Sequence, residues 1–322
     1  MLSCNYEEVI LIHSEKNFQT LENQIRILKA KGLVIQNPSV AKKWLSQCNY
    51  YNFINGYKEL FLDYKRINED PHHHEVFKPN TTIEELKPLY DFDRELRILT
   101  LKYLFIIERK FKSNLAYYFE QFHKSPNAYL YAENYDQTRT KNVNRTIIIL
   151  KKEYNRASRT ETSHKHYIKS IEHVPLWVFI NFISFGTCSK MYKNMNSREQ
   201  TLISKSIAPS LEIQDLSAFM EYLTNIRNIC AHDERLYAYI CSSMPPGMPL
   251  MQYFHLSEKA RKSYFGLIIT LKYFLSRKEF NSYYHKLKIL FQNLDSHTHT
   301  MSIKKVYRKM GFPHNWKNIN HI

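Results

Sequence analysis

Apolar residues recur every three or four positions along most of the chain, and no segment sustains the strict alternation of a half-buried strand. Leu21, Ile25 and Leu28 predict a first helix ending near Gly32, and Val40, Trp44 and Leu45 a second after Pro38. An aromatic-rich segment follows over residues 50–62, then a polar loop over 68–80 that contains His72, His73 and His74. Thr82 is placed to cap a helix, with Glu85 three residues on as its capping-box partner. The longest periodic stretch covers 89–122, through Phe92, Leu96, Leu99, Tyr103, Ile106, Phe111, Leu115 and Phe119. It predicts one long helix, or two that break near Glu108. Beyond it the pattern predicts a helix over 143–154 followed by a polar loop, and another opened by Pro175. Ser210 is placed to cap the next, which carries the stripe Leu216, Phe219, Met220, Leu223 and Ile226. A Pro/Gly/Met loop over 244–249 precedes helices over 257–275 and 280–294. The expected fold class is all-α, a helical bundle with room for a small β hairpin in a loop. Residues 1–254 are expected to form the main domain, and residues 255–322 a basic helical C-terminal extension packed on the same domain.

Composition narrows the function classes. The chain has six glycines, no two close enough to form a dinucleotide fingerprint or a phosphate-cradling loop. The net charge of +16 is unevenly spread: residues 139–170 carry +7 and residues 255–322 carry +10, while 1–138 is neutral and 171–254 carries −1. Segregated positive charge of this size suits a polyanion, most simply a nucleic acid, although a lysine-rich genome would also raise it. Five cysteines without a CxxC pair exclude a zinc ribbon and point to a reducing, cytoplasmic setting. Glu7 and Glu8 precede a short apolar stretch, the wrong order for a secretion signal, and no apolar run is long enough to span a membrane. His72–His74 offer metal-binding nitrogens, but no second ligand cluster accompanies them, so neither a metal nor a cofactor is expected.

One constellation could carry chemistry. The 211–231 segment ends in Arg227, Asn228, Ile229, Cys230, Ala231 and His232. An Arg followed by His after four to six residues is common by chance; Arg66/His72, Arg159/His164 and Arg308/His314 also fit. Arg227 differs in being followed by Asn at the end of an amphipathic helix, where Asn228 and His232 lie one turn apart on a shared face. A structural alternative stays open: Arg227 could pair with Glu221 or Asp233, and His232 could simply cap the helix.

These residues resemble the R-x(4–6)-H motif of HEPN-superfamily ribonucleases, and the surrounding chain resembles the bacterial abortive-infection (Abi) family of the AbiD/AbiF type. Three further blocks carry the resemblance in order: residues 48–57 (CNYYNFINGY), the stretch from Phe77 through Tyr90, Asp91, Phe92, Asp93, Arg94, Leu96 and Arg97 that continues at Glu108 and Arg109, and Pro175-Leu176-Trp177 with Ser184-Phe185-Gly186-Thr187. The likeness runs from about residue 15 to 240 and leaves the basic tail uncovered. It implies a HEPN-like fold, a role in defence against phage, and metal-independent RNA cleavage by Arg227, Asn228 and His232 that leaves a 2′,3′-cyclic phosphate. HEPN sites are commonly composite, so the single motif implies a homodimer. The resemblance also implies RNA as substrate and a small structured RNA as regulator. The alternative function is a non-catalytic RNA- or protein-binding module.

Further candidates for RNA contact follow from charge. Lys151 and Lys152 lie in the first basic segment, and Lys304, Lys305, Arg308 and Lys309 form a basic face in the second, with a solvated helix as the alternative. Arg94 and Arg97 are second-rank candidates, because the 91–97 block also reads as an intramolecular salt-bridge network. The Tyr50, Tyr51, Phe53, Tyr57 cluster could stack on bases, but its spacing favours the core.

Overall fold

Side chains cap some helices of this fold and not others. The computed structural model describes residues 18–160, 162–320 and 322, with the side chains of 165–169 in the helix Thr162–Ile171. Cys4, Glu7 and Glu8 lie outside the described residues. The fold is all-α: no strand forms among the described residues, and backbone pairing is limited to isolated bridges at Val34–Thr82 and Leu62–Phe77. The hairpin allowed for in the sequence is therefore absent from them. No described helix is long and apolar enough to cross a membrane.

Chain contacts divide the protein into two compact units. The first contains residues up to Ile98, Arg235–Tyr237 and Tyr284–Met310. Thr20 opens its helix Leu21–Ala30 by accepting from the Asn23 amide, and Asn37 opens Pro38–Cys48 by accepting from the Ser39 and Val40 amides. Glu85 reaches the Thr82 amide at 3.5 Å, one of the two bonds of a capping box, and also accepts from the Thr300 amide at 2.8 Å. Phe92 meets Phe291 at 5.2 Å, and Phe291 meets Tyr307 at 4.8 Å, which packs the C-terminal segment into this core.

Its polar centre is Asp93, fully buried. The Asp93 carboxylate accepts from Tyr57 Oη at 2.8 Å, Arg97 Nη1 at 2.7 Å, and the amides of Leu236 at 3.1 Å and Tyr237 at 2.7 Å. Burial pushes the Asp93 carboxyl above its ordinary pKa, against the pull of Arg97, Tyr57 and the two amides. Phe53 and Tyr57 are likewise buried, each edge-on to Tyr90, whereas Tyr51 is 71% exposed.

The second unit contains Leu99–Glu234, Ala238–Tyr283 and Gly311–Ile322. Its centre is the helix Tyr264–Phe274, in which every residue from Tyr264 to Leu271 is buried. Tyr264 Oη lies 2.8 Å from Thr100 Oγ1 and 2.9 Å from Tyr283 Oη, so its buried hydroxyl is satisfied. Gly266 has no room for a side chain, because an added Cβ would lie 1.9 Å from the Arg261 carbonyl oxygen. Phe111 packs on Phe185 and Tyr192 at 6.0 and 5.7 Å, joining the long helix to the helix Phe185–Asn194.

The long helix runs unbroken from Ile83 to Phe122, the first of the two alternatives its periodicity allowed. Other elements differ from the sequence pattern. The polar stretch after Tyr154 stays helical to Thr160 because it holds no glycine or proline, and Ala157 is buried beneath it. The helix Ile213–Ala231 is preceded by Glu212 at the N-cap, not Ser210, and no side chain caps it.

Asp93→Ala would leave Arg97 buried without its counter-charge and strip a partner from Tyr57 and two amides. The expected loss is about 3–5 kcal/mol of unfolding free energy, read by chemical denaturation; a loss under about 1 kcal/mol would show the network to be dispensable.

Candidate functional site

The helix Ile213–Ala231 buries Leu216, Phe219, Met220, Tyr222, Leu223, Ile226, Ile229 and Cys230, which leaves Arg227 at its edge and Asn228 on its open face. Its C-terminus is closed by local geometry. His232 is the C-cap residue, and its amide donates to the Asn228 carbonyl at 2.9 Å. Asp233 adopts a left-handed φ of 58°, and the Glu234 amide returns to the Ile229 carbonyl at 3.2 Å. This six-to-one bond and left-handed residue form a Schellman closure, here with Asp where Gly is usual. It sets His232 in an exposed position directly after the last turn, beside exposed Asn228.

Arg227 is half-buried, with Nε 3.9 Å from Glu108 Oε2 on the long helix. Glu108 is buried, and its other oxygen receives Lys112 Nζ at 2.8 Å. Lys112 also donates to the Ile183 carbonyl at 2.8 Å. Arg227 Nε and Glu108 Oε2 have no hydrogen-bond partner, because 3.9 Å is an ion-pair separation. The carboxylate facing Arg227 is thus Glu108 and not Glu221, which pairs at 3.7 Å with Lys193.

Arg227, Asn228 and His232 fall within the second unit, as do Lys151 and Lys152, which are exposed on the helix Thr140–Thr160. Arg94 and Arg97 belong to the first unit. Arg97 is only 3% exposed and committed to Asp93, so its guanidinium faces a carboxylate inside the fold and not a nucleic acid. Arg94 is exposed but shared between Asp91 at 3.5 Å and Glu95 at 3.2 Å. On the helix Ile303–Lys309, Lys304, Lys305 and Arg308 are exposed, whereas Lys309 pairs with Glu59. Lys305 also acts on its neighbour: burial first, then the Lys305 charge, lower Lys78 from an ordinary 10.5 to about 8. His74 is occupied by Asp70, Nδ1 to Oδ2 at 2.8 Å, and no described group of three or more His, Cys, Asp or Glu side chains is arranged to hold a metal.

Glu108 and Lys112 are the site residues that sequence reasoning missed. Their i,i+4 spacing was a usable signal for one another. Nothing in the spacing linked Glu108 to Arg227, 119 positions along the chain.

Residues 43–238 match the model of a protein family described as Abi-like protein. No curated protein and no solved structure matches the chain.

Two outcomes follow from these pairings. Glu108→Gln removes the counter-charge of both Arg227 and Lys112 and should cost about 1.5–3 kcal/mol in denaturant unfolding; an unchanged midpoint would show the pair to be neutral. Lys78 is neutral in the folded protein above about pH 8 but protonated in the unfolded chain up to 10.5, so its destabilising charge is fully present below 8 and fades as pH rises toward 10.5. Lys305→Gln should raise the Lys78 pKa above about 8, measured by NMR of methylated lysines; no movement would place the cause in burial alone.

Proposed function

Because this chain belongs to the Abi-like protein family, we propose that it serves abortive infection as a HEPN-type endoribonuclease acting through Arg227, Asn228 and His232. Family membership supports the role in abortive infection. The observation that carries the finer reading is the end of the motif helix: one Schellman closure presents His232 and Asn228 together, with Arg227 one turn back over a buried carboxylate.

RNA brings its own nucleophile. The 2′-oxygen attacks the adjacent phosphorus, its proton passes to a base, and the bond from phosphorus to the 5′-oxygen breaks as that oxygen takes a proton. His232 serves one of these transfers and the His232 of a second copy the other. Arg227 stabilises the charge that accumulates on the phosphoryl oxygens in the transition state. Asn228 orients the phosphate or the imidazole. The products are a 2′,3′-cyclic phosphate and a 5′-hydroxyl, and no metal takes part. The reading needs a homodimer to bring two motifs together. Lys151, Lys152, Lys304, Lys305 and Arg308, all exposed, are available to hold substrate or a regulatory RNA by phosphate contacts.

Asp233 and Glu234 are exposed directly after His232 and set two carboxylates next to the proposed phosphate position. They favour a second reading in which the module binds RNA or protein without cutting.

Sequencing of cellular RNA ends in phage-challenged cells separates the two. Wild type should generate new 2′,3′-cyclic phosphate ends, and Arg227→Ala and His232→Ala should each reduce them at least 100-fold, the scale of a lost acid–base or oxyanion group. Identical end profiles with equally abundant proteins would establish the binding module instead.

A further inference from the structure

One cleft in the second unit is not lined by the motif residues. It encloses about 960 Å³ along one face of the long helix, with Trp177 across from it. Lys102, Phe105, Arg109 and Tyr117 follow one another on that face at helical spacing, Lys124 lies just past the helix end, and all five are exposed. The helical part of the row, from Lys102 to Tyr117, spans about 22 Å at the rise of an α-helix. Phe105 is 51% exposed, Tyr117 65% and Trp177 55%, more than large aromatic rings usually show outside a contact surface.

The charges in the cleft are sorted. Its two carboxylates are engaged by the protein: Glu108 by Lys112 and Arg227, and Glu120 by the Leu176 amide. Burial raises the Glu120 pKa, against the Leu176 and Trp177 amides and the Lys124 charge. Lys102, Arg109 and Lys124 line the cleft and form no salt bridge among the described residues; Lys124 acts on Glu120 and Arg109 on Glu279 only at longer range. Glu120 also anchors the first turn of the helix Leu176–Phe179, and Tyr167 braces the Trp177 ring edge-on at 5.5 Å. Exposed rings alternating with unpaired cations along one open track are what a flexible polyanion with flat bases requires. A self-associating face would instead set these cations against their own copies across a two-fold axis.

We propose that this cleft is a binding track for single-stranded RNA, with bases stacking on Phe105, Tyr117 and Trp177 and phosphates meeting Lys102, Arg109 and Lys124. Glu108 lies both on its wall and beside Arg227, so the track leads to the motif. The proposal deepens the nuclease reading and rests on it for the choice of RNA as ligand.

The test uses the full chain carrying Arg227→Ala and His232→Ala, so that binding is measured without cleavage, and a fluorescent 12-nucleotide oligouridine as probe. Adding Tyr117→Ala or Trp177→Ala should weaken binding about tenfold each, the effect of losing one stacked base, while Trp177→Phe restores most of it. Adding Lys102→Gln, Arg109→Gln and Lys124→Gln together should flatten the slope of log affinity against log salt by about 2, as three lost single-strand phosphate contacts require. A duplex RNA of equal length should bind at least tenfold more weakly. Unchanged affinity and salt slope in variants with unaltered melting temperature would overturn the proposal. So would duplex binding equal to that of the single strand, or aromatic variants that shift the protein from dimer to monomer while RNA binding holds. Absence of cleavage by the parent protein would count against the nuclease reading alone, because the track is measured in the inactive variant.

Discussion

A carboxylate without water has to find its charge and its hydrogen bonds inside the protein, and Asp93 does so from three separate stretches of chain. Tyr57 comes from the aromatic segment, Arg97 from the next turn of the same helix, and the amides of Leu236 and Tyr237 from the residues that follow the motif in sequence. Each donor must be in place at once, since a buried charge with one partner missing is far costlier than a neutral core. The first unit is organised around that demand. The stacking of Tyr57 on Tyr237 at 5.8 Å and the Arg235 bond to the Gly56 carbonyl surround the same point with further contacts between the aromatic segment and residues 235–237.

The second unit solves a similar problem with less closure. Glu108 is buried and serves two cations, yet only Lys112 reaches hydrogen-bonding distance. Arg227 is left with an ion pair of 3.9 Å and an unsatisfied Nε, a charge held in place but not fully quenched. In the nuclease proposed above, that condition would suit a guanidinium meeting an incoming phosphate, because little has to be broken before it does. The cap that follows has the complementary character: His232 is exposed, and its position is set by backbone bonds instead of by packing.

Positive charge has different uses in different places. Arg97, Lys112 and Lys309 serve carboxylates of the protein itself, at Asp93, Glu108 and Glu59. Lys102, Arg109 and Lys124 line open space, and Lys304, Lys305 and Arg308 stand exposed on their helix. Net charge by segment pointed to 139–170 and 255–322 and passed over the neutral 1–138, where the cationic face of the long helix lies among enough acids to cancel it in any count along the chain.

Periodic apolar positions were sufficient to announce helices, because burial of one stripe is a local property of sequence. They placed the long helix and the motif helix, and the Abi-like blocks and the Arg–Asn–His pattern were legible for the same reason: each is contiguous or nearly so. Of the caps read from the sequence, the Glu85 bond back to the Thr82 amide forms, whereas Ser210 was misjudged, since that helix begins without a side-chain cap; the caps at Thr20 and Asn37 went unread. Folding alone decided which charges are spent. Whether Arg97 meets RNA or Asp93, and whether Arg227 faces Glu221 or Glu108, depends on which segments are brought within a few ångströms of each other. Electrostatic energy follows distance in space and the exclusion of water, and neither is written in the spacing of residues along a chain.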